Sequence, residues 1–234
     1  MFNASILKQV VKDEIRLLTF RPFKFNPDYF KYYLTLGLLF TWLAGVGRYW
    51  DNPRADLWQY LGLGSVVYVF VFALILWGIN KPLRPKHWQY KNVLVFVCMT
   101  SPPAVLYAIP VERFVSMEIA QLMNVWFLAI VALWRVALLV VFLKRVTEMT
   151  YWSILVASLL PLTLIVSALS FLNLEHVVFN IMAGLNSNTA TANDAAYHVL
   201  VGITVLSIVL LPVLLIAYVI IVARQRERGE KDTV

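Results

Sequence analysis

Residues 195–223 read AAYHVLVGITVLSIVLLPVLLIAYVIIVA, a stretch of 29 residues without a charged side chain. A helix rises 1.5 Å per residue, so about 20 apolar residues cross the roughly 30 Å hydrocarbon core of a bilayer. The stretch does not alternate between apolar and polar residues, as a strand of a membrane β-barrel does. It therefore predicts a transmembrane α-helix.

Five more segments with the same apolar character lie N-terminal to this one. They are Tyr32–Gly47, Leu57–Asn80, Asn92–Val111, Ile119–Leu143 and Met149–Leu174. The first is the shortest, and the long side chains of Lys31 and Arg48 can extend it by snorkelling outward. The sequence thus predicts an all-α fold, a polytopic bundle of six transmembrane helices.

The composition excludes the main alternatives to a membrane protein. Hydrophobic residues make up 61% of the chain and charged residues 14%, whereas soluble domains carry about 25% charged residues. Disordered chains are poor in the aromatic and branched apolar residues that abound here. The single cysteine excludes an internal disulfide framework and a multi-cysteine metal site.

Lysine and arginine are distributed unevenly between the two sides of the predicted bundle. Of 20 such residues, 16 fall on the side of the N-terminus, three on the other side, and Arg135 within a span. The positive-inside rule then places both termini in the cytoplasm. The net charge of +7 indicates a bilayer partner with anionic lipid at the cytoplasmic face, rather than nucleic acid.

The predicted spans divide the chain into three regions. Residues 1–28 form a cytoplasmic or interfacial segment, residues 29–223 the six-helix domain, and residues 224–234 a charged cytoplasmic tail.

Residues 3–20 are expected to form an amphipathic helix that anchors in the interface, caps the bundle, or does both. We assign its apolar face to Leu7, Val10, Val11, Leu17 and Leu18, and its polar face to Lys8, Lys12, Asp13 and Arg16. In the outer connection, the apolar run Val177–Leu185 is too short to span, and we expect an interfacial or re-entrant helix there.

No catalytic residue, cofactor or metal site is predicted from the sequence. The candidate intramembrane site consists of one charge and four prolines: Arg135, Pro102, Pro103, Pro161 and Pro212. Each proline frees the carbonyl four residues earlier, and all lie about 15–18 Å from the cytoplasmic ends of their helices. They form either a midplane hinge or binding site, or kinks that neighbouring groups satisfy.

Arg135 is the only charge within a predicted span. A charged side chain at this depth is expected to face protein or water and to have a partner. We hypothesise that its guanidinium reaches the carbonyls of Cys98 and Met99, which Pro102 and Pro103 leave free. The alternative is that it snorkels to the cytoplasmic headgroups.

Residues 81–83 (KPL), residues 96–107 (FVCMTSPPAVLY) and the basic turn at residues 144–145 (KR) carry a family resemblance. Over residues 30–175 the chain resembles the Yip1 family of small polytopic membrane proteins, which usually have five spans. The resemblance implies a non-enzymatic protein that organises membranes or recruits a protein or lipid partner, and no active site. A membrane-protein partner or a homo-oligomer is expected.

The alternative function is a small transporter or channel-like subunit that handles an anionic solute or lipid through Arg135 and the prolines. The short loops suggest a multi-pass protein of the bacterial inner membrane.

Overall fold

The computed structural model describes residues 3–22, 25–50, 57–172, 174 and 195–231. Within these ranges the chain is helical and contains no β-strand. The α-helices are α1 (Ala4–Leu18), α2 (Phe30–Tyr49), α3 (Leu57–Tyr60), α4 (Leu63–Asn80), α5 (Tyr90–Met99), α6 (Met117–Val146), α7 (Tyr151–Phe171) and α8 (Ala195–Lys231). The 3-10 segments are Pro27–Tyr29, Lys81–Leu83, Pro102–Ala108 and Val111–Arg113. The helix predicted at Val177–Leu185 lies outside the described residues.

Five segments of the described chain are long and apolar enough to cross a membrane. They are Leu63–Leu83, Tyr90–Ala108, Leu122–Val146, Tyr151–Phe171 and Val199–Glu227. Large apolar side chains on their outer surfaces are exposed, as at Leu133 and Ile216, which suits a surface surrounded by lipid tails rather than by water. The chain is therefore a polytopic membrane protein.

The first predicted span forms α2, which is not among these five segments. Its 20 residues include Lys31, Arg48 and several polar or aromatic side chains, which lower its hydropathy. The helix nevertheless runs the height of the bundle. Near its start the Tyr32 hydroxyl accepts a hydrogen bond from the Asn3 backbone N–H at 2.9 Å, and beyond its end the Trp50 indole donates to the Ala108 carbonyl at 3.1 Å. Length and composition establish five spans, and the crossing by α2 stays a prediction.

Two predicted spans contain breaks that the charge gaps did not reveal. Leu57–Asn80 divides into α3 and α4 at Gly62, which has a φ of 64°, a conformation that glycine adopts without steric cost. Asn92–Val111 is α-helical only to Met99 and continues as the 3-10 segment Pro102–Ala108. Two adjacent prolines supply no backbone N–H, so the α-helical hydrogen bonds cannot continue.

Helix α5 is the centre of the bundle. Every residue from Val93 to Met99 is buried, and α5 packs against α2 on one side and α4 on the other. The approach to α2 is close at Gly37, where an added Cβ would lie 2.6 Å from the Cys98 Cβ and 2.8 Å from its carbonyl carbon. A side chain at residue 37 would therefore push the two helices apart.

Helix α1 has three faces rather than the two predicted. The face buried against the bundle contains Val10, Asp13, Glu14 and Leu17. An exposed apolar face contains Leu7, Val11 and Ile15, which are 41%, 39% and 57% exposed. An exposed basic face contains Lys8 and Lys12. The prediction was wrong in placing Asp13 on the polar face, and it joined Val10 and Leu17 to Leu7 and Val11 in one apolar face that the structure divides into a buried and an exposed one.

Several hydrogen bonds bring the predicted cytoplasmic segments to one end of the bundle. Arg145 at the end of α6 donates to the carbonyls of Phe20 and Arg21, which follow α1. Arg84 donates to the Gln225 carbonyl near the end of α8, at 3.4 Å. Helix α8 also packs along α7 and runs without interruption into the charged tail as far as Lys231.

The close approach at Gly37 predicts unequal effects of two glycine-to-alanine substitutions. Gly37→Ala should lower the free energy of unfolding by about 1–3 kcal/mol, because the new methyl group overlaps Cys98. Gly78→Ala is the matched control: it is also helical but has nothing within 4 Å of its added Cβ. It should be neutral or stabilise by up to about 1 kcal/mol. Thermal loss of helical circular dichroism in detergent measures both, and equal melting temperatures would contradict the close contact.

Candidate functional site

A cluster of polar side chains lies where α2, the end of α5 and α6 meet. We call it the polar centre, and it consists of Thr41, Arg48, Thr100, Ser101, Tyr107 and Arg135. The Thr41 and Ser101 hydroxyls are 2.7 Å apart, and Thr41 also donates to the Gly37 carbonyl at 2.8 Å. The break after Met99 allows this cluster to form, because it turns Thr100 and Ser101 inward while the chain changes from α-helix to 3-10 helix.

Arg135 enters the polar centre from α6. Its Nε lies 3.4 Å from the Thr100 Oγ1, to which it donates a long hydrogen bond. The acceptor is thus a hydroxyl beside the proline break and not a carbonyl of Cys98 or Met99. The Cys98 carbonyl instead accepts from the Ser101 backbone N–H at 3.1 Å. Thr100, the partner of Arg135, is buried, whereas the Arg135 side chain itself is half-buried.

Arg48 enters from α2, a position that sequence reasoning did not predict. We expected its side chain to snorkel outward, but its guanidinium carbon lies 4.4 Å from the centroid of the Tyr107 ring. The guanidinium also hydrogen-bonds to Tyr49, while its Nε is buried without a hydrogen-bond partner. The only sign in the sequence of close packing near Arg48 is Gly47. A Cβ added at this glycine would lie 2.6 Å from the Ala108 Cβ. This contact brings α2 close to the 3-10 segment that carries Tyr107.

Among the six described residues of the polar centre, the two arginines are the charged side chains. They lie within electrostatic range of each other and of Tyr107. In the part of the chain that the structure describes, the ion pairs are Asp13–Arg16 and Lys86–Glu148, so neither arginine of the polar centre meets a carboxylate there. Over the same ranges no three His, Cys, Asp or Glu side chains group as metal ligands. The arrangement is suited to binding an anion.

The four prolines are distributed over different parts of the bundle. Pro102 and Pro103 begin the 3-10 segment that packs against α2 and α6, whereas Pro161 and Pro212 lie in α7 and α8. Pro212 is exposed on the surface of the bundle. Pro161 is buried, and the carbonyl that it frees, that of Ala157, accepts a hydrogen bond from the Asn80 Nδ2 at 3.1 Å. The Asn80 amide therefore takes the place of the missing backbone donor at this kink.

Two buried carboxyl groups lie at the end of the bundle that α1 covers. The Asp13 carboxylate accepts from the Tyr33 hydroxyl at 2.7 Å and from the Gln9 amide at 2.9 Å. Glu14 is 3% exposed, and its Oε1 has no hydrogen-bond partner. Burial raises the Glu14 pKa to about 7, because a charged carboxylate is poorly solvated there. The sequence did not predict these buried acids, since charged residues in a short amphipathic helix usually face water.

Compared with models of protein families, with curated proteins and with solved structures, the chain gives no match.

The hydrogen bond between Asn80 and Ala157 predicts coupling between Asn80 and Pro161. Asn80→Ala alone should destabilise the bundle by about 1–3 kcal/mol, because it leaves the Ala157 carbonyl without a donor. In a Pro161→Ala background the backbone N–H of residue 161 can donate to that carbonyl, so the same substitution should cost less. A double-mutant cycle on thermal unfolding in detergent measures the difference. Strictly additive effects would show that Asn80 does not compensate for the proline.

Proposed function

We propose that the chain is a non-enzymatic, six-span membrane protein that holds α1 against the cytoplasmic leaflet and gathers anionic lipid around it. The observation that carries this proposal is the division of α1 into three faces. This function agrees with the membrane-organising role that the resemblance to the Yip1 family implies, and we place the protein in a bacterial inner membrane.

The exposed faces of α1 suit the boundary between lipid headgroups and acyl chains. Leu7, Val11 and Ile15 form an exposed apolar stripe, and Lys8 and Lys12 lie beside it. An amphipathic helix in the interface buries such a stripe among the acyl chains and directs its basic residues to anionic headgroups. Each basic residue near an anionic surface contributes about 1 kcal/mol.

Contacts on the buried face and at the C-terminal end fix α1 to the bundle. The Tyr33 hydroxyl binds Asp13, and the Trp134 indole donates to the Leu18 carbonyl at 3.0 Å. Arg145 holds the chain just after the helix through the carbonyls of Phe20 and Arg21. Helix α1 therefore connects α2 to α6, and we infer that lipid bound along it is held at a fixed position relative to the spans.

The six-span topology is supported by the arrangement of the two ends. Residues 3–22 and the end of α8 lie at the same end of the bundle, next to Arg145 and Arg84 respectively. With five spans elsewhere, a chain whose ends share one side needs a sixth crossing, which α2 is long enough to make. The excess of lysine and arginine at this end favours the cytoplasm.

Labelling of single cysteines tests the topology. Lys8→Cys and Arg226→Cys, each introduced into a Cys98→Ala chain, should react equally with a membrane-impermeant maleimide from the cytoplasmic side. The cysteine-free parent is the background control. Phe114→Cys, at a position that is 76% exposed in the predicted outer connection, should react only from the other side. If residues 8 and 226 react from opposite sides, the chain has an odd number of spans, as is usual in the Yip1 family.

Lipid enrichment near α1 tests the proposed function. A donor fluorophore at Ile15→Cys in the Cys98→Ala chain should transfer energy more efficiently to an acyl-labelled anionic lipid than to a zwitterionic one in mixed nanodiscs. Lys8→Gln with Lys12→Gln should remove most of this preference, because two basic residues contribute about 2 kcal/mol. High salt should weaken it as well.

The matched control for this experiment is Arg224→Gln with Arg226→Gln. It removes the same charge from exposed positions on α8 and should leave the preference unchanged. Equal transfer to both lipids in the otherwise unaltered chain would refute the proposed function.

A transporter or channel-like subunit for an anionic solute or lipid is the alternative function. The observation that favours it is the placement of two arginines, Arg48 and Arg135, within the bundle. Pro102 and Pro103 would take part in such a site through the break that they produce. The exposed position of Pro212 favours a structural role for that residue.

A further inference from the structure

We propose that Arg48 and Arg135 together bind one phosphate group, as inorganic phosphate or as a lipid phosphate, between α2, α6 and the 3-10 segment Pro102–Ala108. The site deepens the alternative function and is independent of α1, so either proposal can fail without the other.

The directions of the two helices bring the guanidinium groups together. Side chains of an α-helix lean toward its N-terminus. Helix α2 begins beside α1 and α6 ends beside it, so the two helices run in opposite directions. Arg48, near the end of α2, leans into the bundle, while Arg135, in the second half of α6, leans away from α1. Both therefore point toward the region of Thr100 and Tyr107.

Among the described residues, this region contains no negatively charged group. Two like charges repel strongly where water is scarce, and the described residues around them supply hydroxyl groups and a tyrosine ring but no carboxylate. The buried Nε of Arg48 is a donor without an acceptor, although buried donors are normally hydrogen-bonded. An anion would supply the missing acceptor and reduce the repulsion.

The donor set favours phosphate over a carboxylate. Guanidinium groups present planar pairs of N–H donors that match the oxygens of a phosphate. A phosphate monoester carries about −1.5 to −2 charges at neutral pH, close to the two positive charges here, whereas one carboxylate would compensate only one of them. The Thr100 hydroxyl, already next to Arg135, is a further group within the same cluster.

The walls of the site are held by small residues in close contact. Ala44 of α2, Ala104 of the 3-10 segment and Val131 of α6 form one buried cluster. Gly47 lies against Ala108, where an added Cβ would be 2.6 Å from the alanine Cβ. Because these contacts fix the spacing of the three elements, the two arginines are positioned before a ligand arrives.

The test uses the full chain in a phosphate-free zwitterionic detergent. Two probes, inorganic phosphate and a short-chain phosphatidic acid, are titrated while thermal unfolding is followed by circular dichroism. We expect saturable stabilisation by at least one probe. Arg48→Gln and Arg135→Gln should each weaken the apparent affinity about tenfold or more. Arg226→Gln, which removes an exposed charge on α8, is the control and should have no effect.

The stability without any probe provides a second readout. If the arginines repel each other without a counter-charge, each glutamine variant should melt at the same temperature as the unaltered chain or higher. Arg48→Lys and Arg135→Lys keep the charge but lose the planar donor pair, so they should fold and bind with intermediate affinity.

The outcomes separate the possible ligands. Stabilisation by inorganic phosphate supports a solute site, and stabilisation by phosphatidic acid alone supports a lipid headgroup site. The proposal is overturned if neither probe stabilises the unaltered chain, or if both glutamine variants retain its affinity. Lower melting temperatures of both variants without a probe would contradict the expectation that repulsion between the arginines outweighs their contacts with Tyr107 and Thr100.

Discussion

The contact between α2 and α5 at Gly37 and Cys98 determines how the rest of the bundle is arranged. It brings the backbones of two helices into direct contact, as small residues commonly do between helices in membranes. Helix α5 is consequently enclosed, with every residue from Val93 to Met99 buried, and α4 packs on its other side. The least apolar long helix, α2, is therefore held by packing rather than by its hydropathy.

Pro102 and Pro103 end the α-helical part of α5 close to this contact. The break has a structural effect and a chemical one. It changes the chain to a 3-10 helix that packs against α2 and α6, and it leaves Thr100 and Ser101 beside Arg135 and Thr41. The same pair of residues thus shapes the fold and creates a cluster of polar groups between the spans.

The lengths of the apolar stretches predicted the positions of the helices well, but the directions of individual side chains were harder to predict. The charge-free stretch at residues 195–223 lies within α8, and the Arg135 Nε donates to the buried Thr100 hydroxyl. Arg48 was misjudged because its partner, Tyr107, is far away in sequence and lies on the 3-10 segment that packs against α2. Asp13 and Glu14 were misjudged for a similar reason: their burial depends on Tyr33 and on neighbouring helices, whereas a helical wheel contains only local spacing.

The Asn80–Ala157 hydrogen bond has a consequence for biosynthesis. A chain that is made from its N-terminus delivers α4, with Asn80 at its end, before α7 and its proline emerge. The donor is thus already in place when the Ala157 carbonyl enters the bilayer, where an unpaired carbonyl is costly. Tyr218 of α8 likewise donates to the Ile79 carbonyl at 2.8 Å. The end of α4 thus forms hydrogen bonds with both C-terminal helices, and a truncated chain lacking α4 would leave the kink in α7 without its donor.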